Sequence, residues 1–347
     1  MKAYVYQPDG SARVEERPVP KATSDSAVIA VQTTAICGTD LRARRHVSKS
    51  IAAPRVIGHE VVGEIVDLGS GLRDFAVGDR VQVAPAIGCG RCRPCSMGHT
   101  NLCDNLQTIG FQFDGSFAEY MHIPAAALQS GNVTRVDQEL PDDLAVLAEP
   151  IGCILNSHRF LNLEDAASLA VFGSGFIGCM HAEIALKRGV KTVFILEIDA
   201  ARRSSAAETI PEAVIMDPND PATQESITSI TNAAGVDVAI VACSAGPAQT
   251  QAMNMTAKMG RVSLFGGLPA QSTGYIDSNL IHYREISVHG VHAATPEQNR
   301  EALSLLQTGT LRTQRYRESV FPLARIEEAF EALEDGTALK VLLRPGQ

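Results

Sequence analysis

This sequence as a whole has no basic excess, no long apolar run and no repeat, and each absence removes a class of function. The formal net charge is -9, with 30 lysines and arginines dispersed among 39 acidic residues, so nucleic acid is a disfavoured partner. The densest basic cluster, Arg42 to Arg45, falls inside a candidate site. No apolar run approaches the roughly 20 residues needed to span a bilayer. The opening residues MKAYVYQPDG lack the apolar segment of a secretory signal. A soluble, cytoplasmic protein without a membrane partner is expected. Low-complexity and linker-like segments are missing as well. No long helical period appears before about Asp142, so the first part is predicted to be mainly β.

The 347 residues, 45% hydrophobic and 20% charged, are too many for one core and fit two domains. Residues 1 to 35 alternate apolar and polar positions, as in Ala27-Val28-Ile29-Ala30-Val31, and EVVGEIVDLG and VGDRVQV continue in that style. Eight cysteines without a secretion signal read as thiols or metal ligands in a reducing compartment.

Two cysteine-bearing stretches carry chemistry. In ICGTDLRARRHVSKSIAAPRVIGHE, a thiol (Cys37), a hydroxyl (Thr39), and an imidazole beside a carboxylate (His59, Glu60) fall within one short segment. Zinc accepts sulfur, nitrogen and oxygen together, and a catalytic zinc takes three protein ligands plus an open position. On spacing alone, a buried cysteine and an unrelated histidine in a glycine turn explain the stretch equally well. The second stretch, GCGRCRPCSMGHTNLC, sets Cys89, Cys92 and Cys95 three apart with Cys103 after seven intervening residues. Four thiolates so spaced can close a tetrahedral structural zinc site with no water position. An iron–sulfur cluster and disulfides are the alternatives.

LPDDLAVLAEPIGCILNSHRF has helical apolar spacing interrupted at Glu149-Pro150. A carboxylate at such a break can face a cleft, although a solvated glutamate at a helix start is the simpler reading. Further on, SLAVFGSGFIG is an apolar strand leading into Gly173-x-Gly175-x-x-Gly178, then a helical pattern, then the strand KTVFILEID with Glu197 nineteen residues past the last glycine. Gly173 permits the tight turn, Gly175 lets the backbone approach a pyrophosphate, and Gly178 lets helix and strand pack closely. Glu197 would accept the adenosine ribose hydroxyls and repel a 2′-phosphate, which favours NAD over NADP. VDVAIVACS, GRVSLFGG and EISVHGV supply further strands of a parallel α/β sheet.

Taken together, ICGTD, GHE, GDRV, the four-cysteine lobe, DGSFAEY, AEP, GSGFIG and LEIDAARR resemble the zinc-dependent medium-chain dehydrogenases, in the branch of sorbitol and threonine dehydrogenases. The resemblance implies an α/β chain: a GroES-like β-rich catalytic domain, residues 1–155 and 293–347, interrupted by a Rossmann cofactor domain, residues 156–292. It implies catalytic zinc on Cys37 and His59 with Glu60 or Glu149, and a structural zinc on the four-cysteine lobe. Thr39 matches the proton acceptor, Glu197 and Arg202 the adenosine-side contacts, and the backbone of Phe176 and Ile177 the pyrophosphate contacts.

One departure stands out. Where many relatives carry a relay histidine, this chain has Arg42, which stays protonated. The relay then ends elsewhere, at His46 or water, or Arg42 holds an anion; a solvent-facing arginine is the plain alternative. Phe117 and His292 are further candidate substrate contacts, and Cys153, Cys179 and Cys243 read as core thiols. The expected activity is NAD-dependent oxidation of a secondary alcohol on a polyol or sugar-derived substrate. Alternatives are a threonine-type amino alcohol, a phosphorylated or acidic sugar, and a non-catalytic dinucleotide binder. A homodimer or homotetramer is expected, paired through the sheet edge near Glu285 to Val291.

Overall fold

A computed structural model describes every residue except 233, 270, 271 and 273–275. The chain forms two compact units, Met1–Gly152 with Ala293–Gln347, and Cys153–His292. The crossing falls slightly before the boundary expected after residue 155, because the helix Ala148–His158 runs continuously through it.

In the first unit, the central strand Ala27–Ala35 is apolar on both faces and buried along most of its length. It pairs antiparallel with Glu60–Leu68 on one side and with Leu342–Arg344 and Tyr120–Ile123 elsewhere. The register matters for everything that follows. Ala35 lies opposite both Glu60 and Leu342, so the chain leaving this strand toward Cys37 emerges between Glu60 and the residues just before Leu342. Ile29, Val61, Ile65, Val81 and Met121 fill one core beneath the sheet. A second core gathers Tyr4, Ile36, Ile57, Phe117, Phe330 and Val341.

A helix absent from the sequence expectation, Gly38–Arg45, follows Cys37. Its residues GTDLRARR contain only Leu41 and Ala43 as apolar members, so no 3.6-residue period exists to detect. Its start is set by a cap instead: the Cys37 N–H donates to Asp40 Oδ2 at 2.9 Å.

The second unit is a six-stranded parallel sheet. Its order is Val214–Met216, Thr192–Leu196, Ser168–Phe172, Val236–Val241, Thr256–Leu264, Ser287–Gly290. Chain order reverses between Ser168–Phe172 and Val236–Val241, which creates the switch point where dinucleotides bind in Rossmann folds. The glycine-rich turn continues directly from Phe172 at that point.

The core of this unit holds a feature that no sequence motif announced. His158 Nε2 and His181 Nδ1 lie 2.9 Å apart, one of them carrying the proton, and both side chains are buried. Burial holds both imidazoles below the ordinary value, His181 down to about 3. The unfolded chain therefore binds protons that the folded one refuses. Stability is full above the unfolded value near 6.5 and falls as pH drops below it. From pH 6.5 to 5 one such imidazole costs about 2 kcal/mol. Urea midpoints at pH 7.5 and 5.0 should show that drop, and His181→Leu should flatten the slope. An unchanged slope in the variant would refute this assignment.

Candidate functional site

The Gly38–Arg45 helix brings three groups together in its first turn. Cys37 is the extended residue at its cap, Thr39 Oγ1 sits 3.8 Å from Cys37 Sγ, and Asp40 is buried. Asp40 accepts the Cys37 N–H through Oδ2, and its Oδ1 lies 3.5 Å from His59 Nδ1. A carboxylate here also gains from the positive end of the helix. Asp40 thus holds the Cys37 backbone and faces the His59 imidazole, the place a carboxylate takes behind a metal-binding histidine. The sequence signal was available: an acidic residue three positions after a helix cap.

His59 is delivered by a turn that only glycine can make. Gly58 has φ +93°, and a Cβ there would meet the Phe117 ring at 2.4 Å. The next residue, Glu60, opens its strand and is fully buried. Ligand atoms of Cys37, His59 and Glu60 all lie within 4.8 Å of one another. Glu60 Oε2 faces Lys340 Nζ at 2.5 Å, while Oε1 accepts no hydrogen bond from any described residue. Lys340 also donates to the Ile36 carbonyl at 3.1 Å. Burial opposes its charge, but Glu60, Cys37 and Glu149 outweigh that and raise its pKa. Lys340 was missed because it is adjacent only through the strand pairing of Ala35 with Leu342.

Glu149 is buried in the first turn of its helix, where proline is tolerated. The solvated reading of this residue is therefore wrong. It acts on Lys340 electrostatically, yet stands outside the group that closes within 4.8 Å.

The donor set fits zinc. A thiol, an imidazole and a carboxylate converge, and the buried Oε1 still lacks a partner. Burial disfavours a charged His59, yet Asp40 and the Cys37 sulfur overcome this and hold its pKa well above the ordinary value. That electrostatic bias attracts a cation, and a metal ion would take the proton's place.

The second cluster is all sulfur. Ligand atoms of Cys89, Cys92, Cys95 and Cys103 lie within 4.8 Å of one another. All eight cysteines are free. The N–H groups of Cys89 and Asn105 donate to Cys103 Sγ at 3.1 and 3.3 Å. Backbone N–H groups of Arg91 and Cys92 draw Cys89 down to about 6, whereas burial pushes Cys95 up to about 12. A metal would deprotonate all four.

In the second unit, Gly173 has φ +102°, and a Cβ on Gly178 would lie 1.9 Å from the Gly173 carbonyl oxygen. Gly175 caps the helix Phe176–Lys187, so the first helical N–H groups belong to Phe176 and Ile177. Glu197 Oε2 accepts the Ser174 N–H and hydroxyl at 2.9 and 3.1 Å, and Oε1 accepts the Asp199 N–H at 3.0 Å. Arg203 braces this corner: Nη1 donates to the Glu197 and Ile198 carbonyls at 2.8 Å and pairs with Asp217. Arg202 contributes its backbone N–H, capped by Asp199 at 2.8 Å. Ser174 and Arg203 were not anticipated.

The expected substrate contacts are scattered. Arg42 is exposed on its helix, and His46 is exposed at that helix's C-terminal cap. Phe117 is fully buried against Tyr4 and Phe330 and supports the Gly58 turn, not a substrate pocket. Phe111 is the aromatic beside the site, 5.8 Å from the His59 ring. His292 is exposed at the end of the second unit, its carbonyl accepting Asn156 Nδ2 at 3.3 Å.

A Rossmann sheet with its glycine-rich turn, joined in sequence to a β-rich unit with one mixed-donor and one all-thiolate cluster, defines a dinucleotide-dependent metallo-dehydrogenase. Comparison with known proteins agrees. Residues 23–133 match the alcohol dehydrogenase GroES-like domain, and residues 177–308 match the zinc-binding dehydrogenase family. L-threonine 3-dehydrogenase of Pyrococcus horikoshii is 31% identical, the match covering 97% of this chain and 96% of that protein. Sorbitol dehydrogenase of Halalkalibacterium halodurans is 30% identical over 99% of each. A Sinorhizobium meliloti 1021 protein solved bound to NADP superposes with a TM-score of 0.90 at 28% identity, covering 99% of both chains. The chain belongs to the zinc-type medium-chain alcohol dehydrogenases.

Proposed function

We propose that this chain oxidises a secondary alcohol of a polyol or sugar-derived substrate with NAD as hydride acceptor. Cys37, His59 and a glutamate hold the catalytic zinc, and the four-cysteine lobe holds a structural one. The observation that carries the reading is the convergence of half-buried Cys37 with buried His59 and Glu60, with Glu60 Oε1 left without a hydrogen bond. Zinc bound there would supply Lewis acidity that lowers a hydroxyl pKa toward neutrality. Thr39, beside Cys37, accepts the hydroxyl proton while passing its own on toward the nicotinamide ribose, so that it relays the proton and does not keep it. Asp40 fixes the orientation of His59, and Lys340 balances the carboxylates facing it. Nicotinamide brings the hydride chemistry; the protein contributes alignment and exclusion of water.

Glu197 supports NAD. Three of its roughly four lone-pair directions are engaged, by the Ser174 N–H and hydroxyl and the Asp199 N–H, which leaves an acceptor on Oε1 for a ribose hydroxyl and a charge that repels a 2′-phosphate. Glu197→Ser should lower the ratio of kcat/KM for NAD over NADP by about tenfold to a hundredfold, the worth of a charged hydrogen bond. Initial rates with each cofactor measure it, and an unchanged ratio contradicts the assignment. The strand Ser287–Gly290 ends the sheet and is the edge through which a second copy would pair.

A panel of sorbitol, sorbitol phosphate, threonine and simple secondary alcohols, followed by NADH absorbance, tests the substrate. Preference for the free polyol is expected. Preference for the phosphate would assign Arg42 to anion binding, and preference for threonine would move the chain to the amino-alcohol branch.

A further inference from the structure

The Gly38–Arg45 helix has a placement problem. Only Asp40 and Ala43 are buried along it, and Ala43 with partly buried Leu41 is its whole apolar contact with the core, a narrow anchor for its rotation. Its first turn nevertheless carries Cys37, Thr39 and Asp40, whose positions relative to His59 define the site. Something at its outer end must hold it.

The helix Ile326–Glu334 does so. Arg44 Nη2 meets Glu327 Oε2 at 2.7 Å, and Arg45 Nε meets Glu334 Oε1 at 3.1 Å. Arg44 also lies over the Phe330 ring, 5.2 Å from its centroid. The other oxygen of Glu327 accepts the hydroxyl of Tyr4 at 2.8 Å. Tyr4 is 1% exposed, so Glu327 is anchored from beneath by a buried phenol while it grips Arg44 from above. Burial, followed by the Glu327 carboxylate, raises the Tyr4 pKa, and the phenol remains a donor. The chain beyond this helix continues to Lys340, which holds Glu60 and the Ile36 carbonyl. One C-terminal segment therefore grips both ends of the arrangement.

We propose that Glu327 is a positioning residue that sets, through Arg44, the placement of the Gly38–Arg45 helix and hence the approach of the Cys37 sulfur to His59. The proposal rests on the reading of Cys37 and His59 as metal ligands. Exposed ion pairs add about 0 to 1 kcal/mol each, so the contribution lies in geometry and not in global stability. A pair of that strength, acting on the metal ligands through a helix, can change metal affinity by no more than a few-fold, about fivefold at most.

The test is titration of the metal-free full-length chain with Co(II), reading thiolate-to-cobalt absorption. The four-cysteine lobe serves as the internal control. Glu327→Gln keeps an acceptor for Tyr4 but abolishes the ion pair. It should weaken Co(II) at the Cys37 site about threefold to fivefold, with the four-thiolate site unchanged and the thermal midpoint nearly so. Arg44→Ala, which also loses the Glu334 contact at 3.7 Å and the Phe330 ring, should weaken it at least as much, and the double variant should be no worse than Arg44→Ala alone. High salt should weaken the Cys37 site in both proteins, but more in the unaltered chain, so that the gap between it and the variant narrows. Equal Co(II) affinity in unaltered chain and variants, with equal salt effects, overturns the proposal. A Cys37 site that takes no Co(II) even in the unaltered chain overturns the metal reading with it.

Discussion

Cys37→Ser is expected to abolish turnover while leaving the fold and the four-thiolate metal in place. A Lewis acid contributes several kcal/mol to an alcohol oxidation, and about 4 kcal/mol corresponds to about a thousandfold in rate. Serine is close to cysteine in size but does not provide a thiolate at neutral pH. The Asp40 contact to the residue 37 N–H uses the backbone and should survive, so the helix keeps its cap. Metal content by mass spectrometry should fall from two ions per chain to one, with the thermal midpoint changed little. His59→Ala should behave likewise. Retained turnover in either variant would show that the reaction does not depend on this trio.

The second large effect concerns Lys340. Glu60 is fully buried, and Lys340 is the cation it faces, at 2.5 Å. Lys340→Met keeps much of the volume and leaves a buried carboxylate uncompensated, which typically costs about 3 to 5 kcal/mol. The urea midpoint of the metal-free chain should fall accordingly. Adding Glu60→Gln should recover most of the loss, because removing both members of a buried pair is often close to neutral. Zinc should also restore part of it by supplying the missing positive charge. A loss below about 1 kcal/mol would mean that Glu60 is not held as an anion by this lysine.

These two predictions separate what was legible in the chain from what was not. Gly173, Gly175 and Gly178 announced the nucleotide turn because strand, glycines and helix are consecutive, and local sterics suffice to read them. The four cysteines were equally local. Cys37, His59 and Glu60 were visible as donor types, and the Ala35–Glu60 pairing is what converts proximity along the chain into proximity in space. Lys340 could not be read this way. It follows Ile36 by 304 positions, and only the register of Leu342 against Ala35 brings it in. The Gly38–Arg45 helix escaped because a capping interaction and ion pairs specify it, not an apolar stripe. The place of the Phe117 ring was hidden for a related reason: DGSFAEY marks a glycine turn, but which way the ring points depends on Gly58 and Tyr4, far away in sequence. Glu149 shows the converse. Its proline neighbour suggested an exposed helix start, whereas that start lies inside the unit, buried.

The most direct measurement is an anomalous-scattering map at the zinc edge from crystals of the zinc-loaded full chain. Two peaks per chain are expected, one surrounded by Cys89, Cys92, Cys95 and Cys103, the other in contact with Cys37 Sγ and His59. A single peak confined to the four cysteines would contradict the account, leaving a dinucleotide-binding chain with no electrophile for its alcohol.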